Sequence, residues 1–287
     1  MIASLESLLA EKDILIVPGA YDALSARVAT RAGAKVVYMT GFGVVGSAFG
    51  MPDIGLVGPD DMAERVRAIA GTIAPLPVIA DGDNGHGGVA SVARLVRAYE
   101  QAGAQCIQLE DQESPKRCGH MDGKEVVPLA DATAKIRAAA AARSSSTFKI
   151  MARTDARQTH GLDEALTRGE AFLRAGADIL FVEAPQSEAE LRKITETFRG
   201  TPLVANLVED GKTPMLSPTE LQVMGFKIAL YPISALLAVT KRLEGVYATL
   251  LGGGTIDSAE RSGFRHYNDL IGLPEWQQFT KGCTERE

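Results

Sequence analysis

Ala102-Gly103-Ala104-Gln105-Cys106-Ile107-Gln108-Leu109-Glu110-Asp111 holds one complete passage from helix to strand to polar end. A helix-like stretch, Val89 to Ala102, stops at Gly103. Glycine past a helix end tolerates the left-handed backbone that other residues resist. Cys106 to Leu109 then reads as a strand, and two carboxylates close it. The run is apolar without alternation, as expected of a strand buried on both faces of a parallel sheet. The phrase Ala-Gly-Ala recurs at Ala32-Gly33-Ala34 and Ala175-Gly176-Ala177, each time before another apolar run.

Extending this reading outward gives eight strand–helix pairs. The strands are Ile14 to Val17, Lys35 to Met39, Pro77 to Ala80, Cys106 to Leu109, Phe148 to Ala152, Ile179 to Val182, Leu203 to Ala205 and Phe226 to Leu230. The helices between and after them include Asp22 to Ala32, Pro59 to Ile73, Leu162 to Ala175 and the long final Ser234 to Leu251. Eight such units in about 250 residues point to an α/β fold of the (β/α)8 TIM-barrel type. The barrel is assigned to residues 1–251 and a C-terminal helical extension to 252–287. That extension carries Trp276 and Phe279, so an apolar tail past a complete barrel calls for a partner subunit.

The 287 residues are 46% apolar and 23% charged, with a net charge of −6. An acidic balance disfavours a nucleic-acid binder or an anionic-membrane binder. Cys106, Cys118 and Cys283 are odd in number and scattered, which argues against a disulfide framework or a thiolate zinc site. The apolar run Val36 to Met51 is broken by four glycines, and no signal peptide is visible. The expectation is a cytoplasmic protein.

In such barrels chemistry collects at the C-terminal strand ends. Those ends carry Thr40 and Gly41, Asp81 and Asp83, Glu110 and Asp111, Arg153 and Asp155, Glu183, and Asn206. Clustered acids without a His or Cys set suit a hard cation with oxygen ligands, Mg²⁺ or Mn²⁺. Asp111 and Asp155 can equally serve as helix caps. Arg153, on a stiff strand, suits a grip on a substrate carboxylate, or else an ion pair with Glu183. After the fourth strand comes Lys116-Arg117-Cys118-Gly119-His120, read as a mobile cationic loop whose positive charge favours the Cys118 thiolate. Gly41-Phe42-Gly43-Val44-Val45-Gly46 fits the dinucleotide fingerprint in spacing, but no helix is expected before Pro59, so a Gly-rich loop near a small ligand is the better reading. His86 is read as a surface loop residue.

Together these segments resemble the isocitrate lyase and phosphoenolpyruvate mutase superfamily. The carriers are Pro52-Asp53-Ile54-Gly55-Leu56, Asp81-Gly82-Asp83-Asn84-Gly85, Leu109-Glu110-Asp111-Gln112, the Lys116–His120 loop, Met151-Ala152-Arg153-Thr154-Asp155 and Ala229-Leu230-Tyr231-Pro232. The resemblance implies a barrel whose C-terminal helix swaps between subunits of a homotetramer. It implies Asp81 as direct Mg²⁺ ligand, with Asp53, Asp83 and Glu110 holding the metal's waters. Thr40, Gly41 and Phe42 would bind substrate, with Thr40 replacing the family's usual Ser. Arg153, Glu183 and Asn206 would contact substrate, and Lys116, Arg117, Gly119 and His120 would close over it. Cys118 is the residue by which the family's carbon–carbon lyases differ from its typical phosphonomutases, and it would donate or accept the proton at the carbanion.

The implied activity is Mg²⁺-dependent cleavage of a small anionic 2-hydroxy or 2-oxo acid, as in dimethylmalate lyase or oxaloacetate hydrolase. Asn206 is followed by Leu207-Val208, without the hydroxyl groups that would help hold a third carboxylate, so 2-methylisocitrate lyase comes second. A phosphonopyruvate or carboxyphosphonoenolpyruvate mutase or hydrolase, a non-catalytic acid binder and a nicotinamide oxidoreductase are the remaining alternatives.

Overall fold

The structure, a computed structural model, describes residues 4–117 and 123–284. Cys118, Gly119 and His120 therefore lie outside the described residues. The chain divides into two compact units, Met1–Ala235 and Leu236–Glu287, so the division falls near the start of the eighth barrel-type helix rather than at residue 252.

The first unit is a closed parallel barrel in which each of eight strands pairs with its sequence neighbours and β8 with β1. The strands are β1 (Leu15–Ala20), β2 (Val37–Met39), β3 (Val78–Asp81), β4 (Cys106–Glu110), β5 (Lys149–Thr154), β6 (Ile179–Val182), β7 (Leu203–Asn206) and β8 (Ile228–Tyr231). After the short α1 (Leu5–Ala10), the helices around them are α2 (Ala23–Arg31), α3 (Gly41–Phe49), α4 (Pro59–Ile73), α5 (Val89–Ala102), α6 (Leu129–Ala142), α7 (Ala156–His160), α8 (Leu162–Arg174), α9 (Glu188–Thr197) and α10 (Pro218–Met224).

Local chemistry sets the helix ends. Asp22 and Ser25 form a reciprocal capping box at the start of α2, and Ser217 and Glu220 form another at α10. The Ala-Gly-Ala phrases are helix stops of one kind. Gly33, Gly103 and Gly176 all have φ near +100°. The alanine after each donates its N–H five residues back, to Ala29, Tyr99 and Phe172, at 3.0–3.1 Å.

The strand period of two then sorts side chains. Ile107 and Leu109 pack outward with the helices in the larger apolar cluster. Cys106 faces the barrel interior with Leu15, Val17, Ile79, Met151, Ile179, Val204 and Ile228, joined by Leu5 and Leu8 of α1. The inward parity continues from Cys106 through Gln108 to Glu110, so strand pleating delivers Glu110 to the carboxyl-end mouth. The same count carries Ile79 to Asp81, Met151 to Arg153 and Val204 to Asn206.

The second unit comprises α11 (Ser234–Leu251, shared at its first residues with the barrel unit), α12 (Phe264–Leu270) and α13 (Leu273–Thr284). Arg242 pairs with Glu260 at 3.0 Å, and Trp276 meets Phe279 edge-on. No residue of α11 or α13 is buried. Among the described residues no helix is long and apolar enough to cross a membrane.

Candidate active site

At the carboxyl mouth of the barrel lies a solvent-open cleft with a cavity volume of about 50 Å³. Its polar lining is Thr40, Asp53, Asp81, Glu110, Lys116, Arg117, Arg153, Glu183 and Asn206. Its apolar lining is Phe42, Phe181, Val208, Leu230, Pro232 and Ile233. Apolar walls with a few convergent polar groups are the lining of a small-ligand site.

Asp81 ends β3. Its Oδ1 accepts from the Asp83 N–H and from Gln108 Nε2, both at 3.2 Å, and Gln108 Oε1 accepts from the Tyr38 hydroxyl at 2.7 Å. Asp81 Oδ2 accepts from the Gly41 N–H at 3.2 Å. Burial, then the Asp83 charge, pushes the Asp81 carboxyl up to about 6. Burial also raises Glu110, against the opposing charge of Arg153, and raises Asp53, against Lys116.

Lys116 is buried between Asp53 and Asp83, contacting Asp53 and lying 2.6 Å from Asp83 Oδ1. Burial works against its charge, but Asp83, Asp53 and Glu110 together hold the ammonium above its ordinary range. The base of the loop that carries Lys116 is a short antiparallel bridge, Gln112 with Val126. The Gln112 amide clamps the Arg117 backbone at 2.8 and 2.9 Å.

Arg153 sits beside Glu110 in the strand register. Its Nε and Nη2 donate to Asp155 at 2.9 and 3.0 Å, Nη2 reaches Glu183 Oε2 at 3.1 Å, and Nη1 is 3.5 Å from Glu110. The ion pair with Glu183 is thus formed, and one edge of the guanidinium is already bound to Asp155. Asn206 Nδ2 donates to both Glu183 oxygens at 3.2–3.3 Å, and the following Ala184 has a left-handed φ of 53°. A non-glycine residue in that conformation holds strain, a common feature of functional sites. Among the described residues, the buried cleft oxygens Glu110 Oε1 and Asn206 Oδ1 accept no hydrogen bond. Unmet buried oxygens carry a desolvation cost that a bound donor or cation relieves.

The buried charged side chains among the described residues are seven carboxylates and four cations. That negative excess, the raised carboxyls and the unmet Glu110 oxygen fit a divalent cation. No group of three or more His, Cys, Asp or Glu side chains among the described residues forms a ready cage. The donor set therefore matches a hard cation taking few direct carboxylates and keeping its own waters.

Two expectations are corrected, and an open alternative at Asp155 is decided. A helix does start inside Gly41–Gly46: α3 spans Gly41–Phe49, with Thr40 Oγ1 as its N-cap. The dinucleotide reading still fails, because a phosphate at this helix start would meet the Asp81 carboxylate that Gly41 already contacts. His86 is not a surface residue, since its side chain is only 12% exposed and lies 3.5 Å from Asp83. Asp155 precedes α7 but makes no side-chain cap, and its carboxylate pairs with Arg153 and Lys124 instead.

Sequence reasoning missed Tyr38, Gln108, Lys124 and Arg168. Gln108 had a signal, a polar residue in the middle of a buried strand. Arg168 reaches from α8 to Asp111 at 3.1 Å, a pairing that only the tertiary fold creates.

A closed parallel barrel with an arginine among carboxylates at its carboxyl mouth is the architecture of an α/β-barrel enzyme for a small anion. Residues 5–251 match the phosphoenolpyruvate phosphomutase family model. The chain is 45% identical to 2,3-dimethylmalate lyase of Eubacterium barkeri over 275 residues, 94% of each chain. It is 40% identical to 2-methylisocitrate lyase of Bacillus subtilis (strain 168) over 248 residues, 86% of this chain and 81% of that protein. The chain belongs to the isocitrate lyase/phosphoenolpyruvate mutase superfamily. Among solved structures, oxaloacetate acetylhydrolase with 3,3-difluorooxalacetate superposes with a TM-score of 0.94 at 34% identity, covering 98% of this chain and 96% of that one. Phosphonopyruvate hydrolase, in complex with oxalate and Mg²⁺, superposes at 0.85 with 28% identity over 96% and 95%.

Proposed function

We propose that this protein is a Mg²⁺-dependent carbon–carbon lyase that cleaves an alkyl-substituted, malate-type 2-hydroxy dicarboxylate. The observation that carries this reading is the mixed lining of the cleft. Arg153, Asn206 and the acid cluster suit carboxylate and hydroxyl ends, and Val208, Leu230, Pro232 and Ile233 suit alkyl substituents. A third carboxylate against those apolar residues would be buried without a partner, which is costly. The 45% identity to 2,3-dimethylmalate lyase supports the same substrate class.

Asp81 would hold the cation directly, and Asp53, Asp83 and Glu110 would hold its waters. When bound, the cation supplies Lewis-acid stabilisation of negative charge. Asn206 Oδ1, an acceptor without a donor, receives the substrate hydroxyl, and Glu183 fixes the amide orientation through Nδ2. The hydroxyl passes its proton to the Glu183 carboxylate in the cleft, the C2–C3 bond breaks, and its electron pair goes to C3 as the enolate of the neighbouring carboxylate. Cys118 gives that carbon its proton, leaving a 2-oxo acid and a carboxylic acid. Lys116, Arg117, Gly119 and His120 belong to the segment that screens the reaction from water, and Thr40, Gly41 and Phe42 line the substrate side.

The test is a substrate panel followed by NMR with Mg²⁺ and with EDTA: dimethylmalate, citramalate, oxaloacetate, methylisocitrate, isocitrate and phosphonopyruvate. Metal-dependent cleavage of the alkylmalates supports the reading. Turnover of methylisocitrate alone keeps the chemistry and overturns the role of the apolar lining, and turnover of phosphonopyruvate alone rejects the reaction class. The chain acts, on this reading, as a cytoplasmic homotetramer in which the second unit packs on a neighbouring copy.

A further inference from the structure

Lys124 is a fully buried lysine that does not line the cleft. Its Nζ lies 2.6 Å from Asp155 Oδ1, and both side chains are 0% exposed. Asp155 in turn receives Arg153 through two N–H groups, at 2.9 and 3.0 Å, and does not line the cleft either. Burying an ammonium is expensive unless it is paired and doing so serves the structure around it.

The surroundings show what this pair serves. Arg153 faces three carboxylates, Asp155, Glu183 and Glu110. With no second cation, Asp155 would draw on the same guanidinium charge needed at the cleft. Lys124 neutralises Asp155 from behind, so Asp155 holds the guanidinium in one plane while Arg153 keeps its charge toward Glu110, Glu183 and the ligand. The Lys124 position is itself built. Glu113 N–H donates to the Glu125 carbonyl and Val127 N–H to the Asp111 carbonyl, both at 2.9 Å. Asp111 also accepts from the Asp155 N–H at 2.9 Å and from the Thr154 hydroxyl at 2.7 Å. Asp111 thus registers the backbone that carries Lys124, through its main-chain carbonyl, against the strand end that carries Arg153, through its carboxylate.

We propose that Lys124 is a positioning residue, acting through Asp155 to orient Arg153 for the substrate carboxylate. The proposal rests on the reading of Arg153 as an anion-binding group. A fixed, correctly aimed guanidinium binds a carboxylate better than one that must be ordered on binding. Loss of Lys124 should therefore weaken anion binding more than it slows the bond-breaking step.

The experiment measures oxalate binding by calorimetry with saturating Mg²⁺, and kcat and KM on the best substrate, for the full-length protein and its variants. Lys124→Met, similar in length but uncharged, is expected to weaken oxalate about tenfold and raise KM by a similar factor, with kcat changed less than threefold. Lys124→Arg should recover most of the loss. Lys135→Met, which removes another partly buried lysine that donates to the Asn84 carbonyl, should leave oxalate affinity within twofold. Asp155→Asn should reproduce the Lys124→Met defect, and the double variant should be no worse than Asp155→Asn alone. A folded Lys124→Met protein with unchanged oxalate affinity and KM overturns the proposal. So do additive losses in the double variant. If Lys124→Met does not fold, Lys124→Arg and Asp155→Asn decide: an Asp155→Asn protein with normal oxalate affinity overturns it. Failure of the unaltered protein to bind oxalate rejects the underlying site reading as well, and is distinguished by being seen before any substitution.

Discussion

At the residue scale the site is a problem in charge. Asp81, Asp53 and Glu110 are all held above their ordinary range chiefly by burial. Asp81→Asn should remove most Mg²⁺ affinity without unfolding the barrel, since the amide replaces a carboxylate already crowded by acids; Mn²⁺ titration followed by electron paramagnetic resonance checks this. Cys118→Ala should lower kcat by about 10²–10⁴-fold, the usual worth of a positioned general acid, while oxalate affinity stays near normal. Full activity in Cys118→Ala would exclude that thiol as the proton donor.

At the element scale the informative piece is α3. Its first residue, Gly41, faces Asp81, and a Cβ there would stand 2.8 Å from Asp81 Oδ2. Gly41→Ala should therefore displace the Asp81 carboxylate, costing about 1–3 kcal/mol of stability through overpacking and lowering activity at least tenfold. Thermal melts and Mg²⁺-dependent turnover measure the two effects separately. The sequence showed the glycines but not the helix, because G-F-G-V-V-G-S-A-F has weak intrinsic helix preference and its helical state depends on the Thr40 cap and on burial of Val44 and Val45.

At the scale of the molecule two predictions follow from burial. Asp81 has a higher pKa folded, about 6, than its ordinary 3.8, so the folded protein keeps a proton that the unfolded chain releases between those values. Without metal, stability should then fall as pH rises through roughly 4 to 6, by about 3 kcal/mol from this group alone, with Asp53 and Glu110 acting in the same direction. Calorimetric melts in EDTA at pH 5 and pH 7 should show the pH 7 protein melting lower, with Mg²⁺ restoring much of the difference. A flat profile would contradict the assignment. The second prediction concerns assembly. On the barrel unit, Ile16 of β1 is 54% exposed, an unusual state for a parallel-barrel strand, and Leu24 and Val28 of α2 are exposed as well. The second unit carries Leu243, Tyr247, Leu250 and Leu251 on α11 and Trp276 and Phe279 on α13, all exposed. Light scattering should report an oligomer, and Leu243→Asp with Tyr247→Asp should shift it toward smaller species. An unaltered protein that runs as a monomer rejects the packing reading.

What the sequence determined alone was the count and order of the strand–helix units. Continuous apolar runs, Ala-Gly-Ala stops and capping residues are local signals, and they specified eight βα units and the strand ends where acids gather. The motif segments likewise carried the superfamily before any coordinate did. The tertiary structure decided which strand-end groups meet the ligand. Glu110 and Arg153 face the cleft while Asp111 lies behind them bound to Thr154, Asp155 and Arg168. With both faces of each strand apolar, the sequence has no alternation to say which parity points inward; barrel closure fixes that parity. The pairing of Lys124 with Asp155 joins residues 31 positions apart and depends on the same closure. So do the apolar lining residues Phe181, Val208 and Leu230 and the partner shared by Arg153 and Lys124, because each is a meeting of groups from different strands and loops.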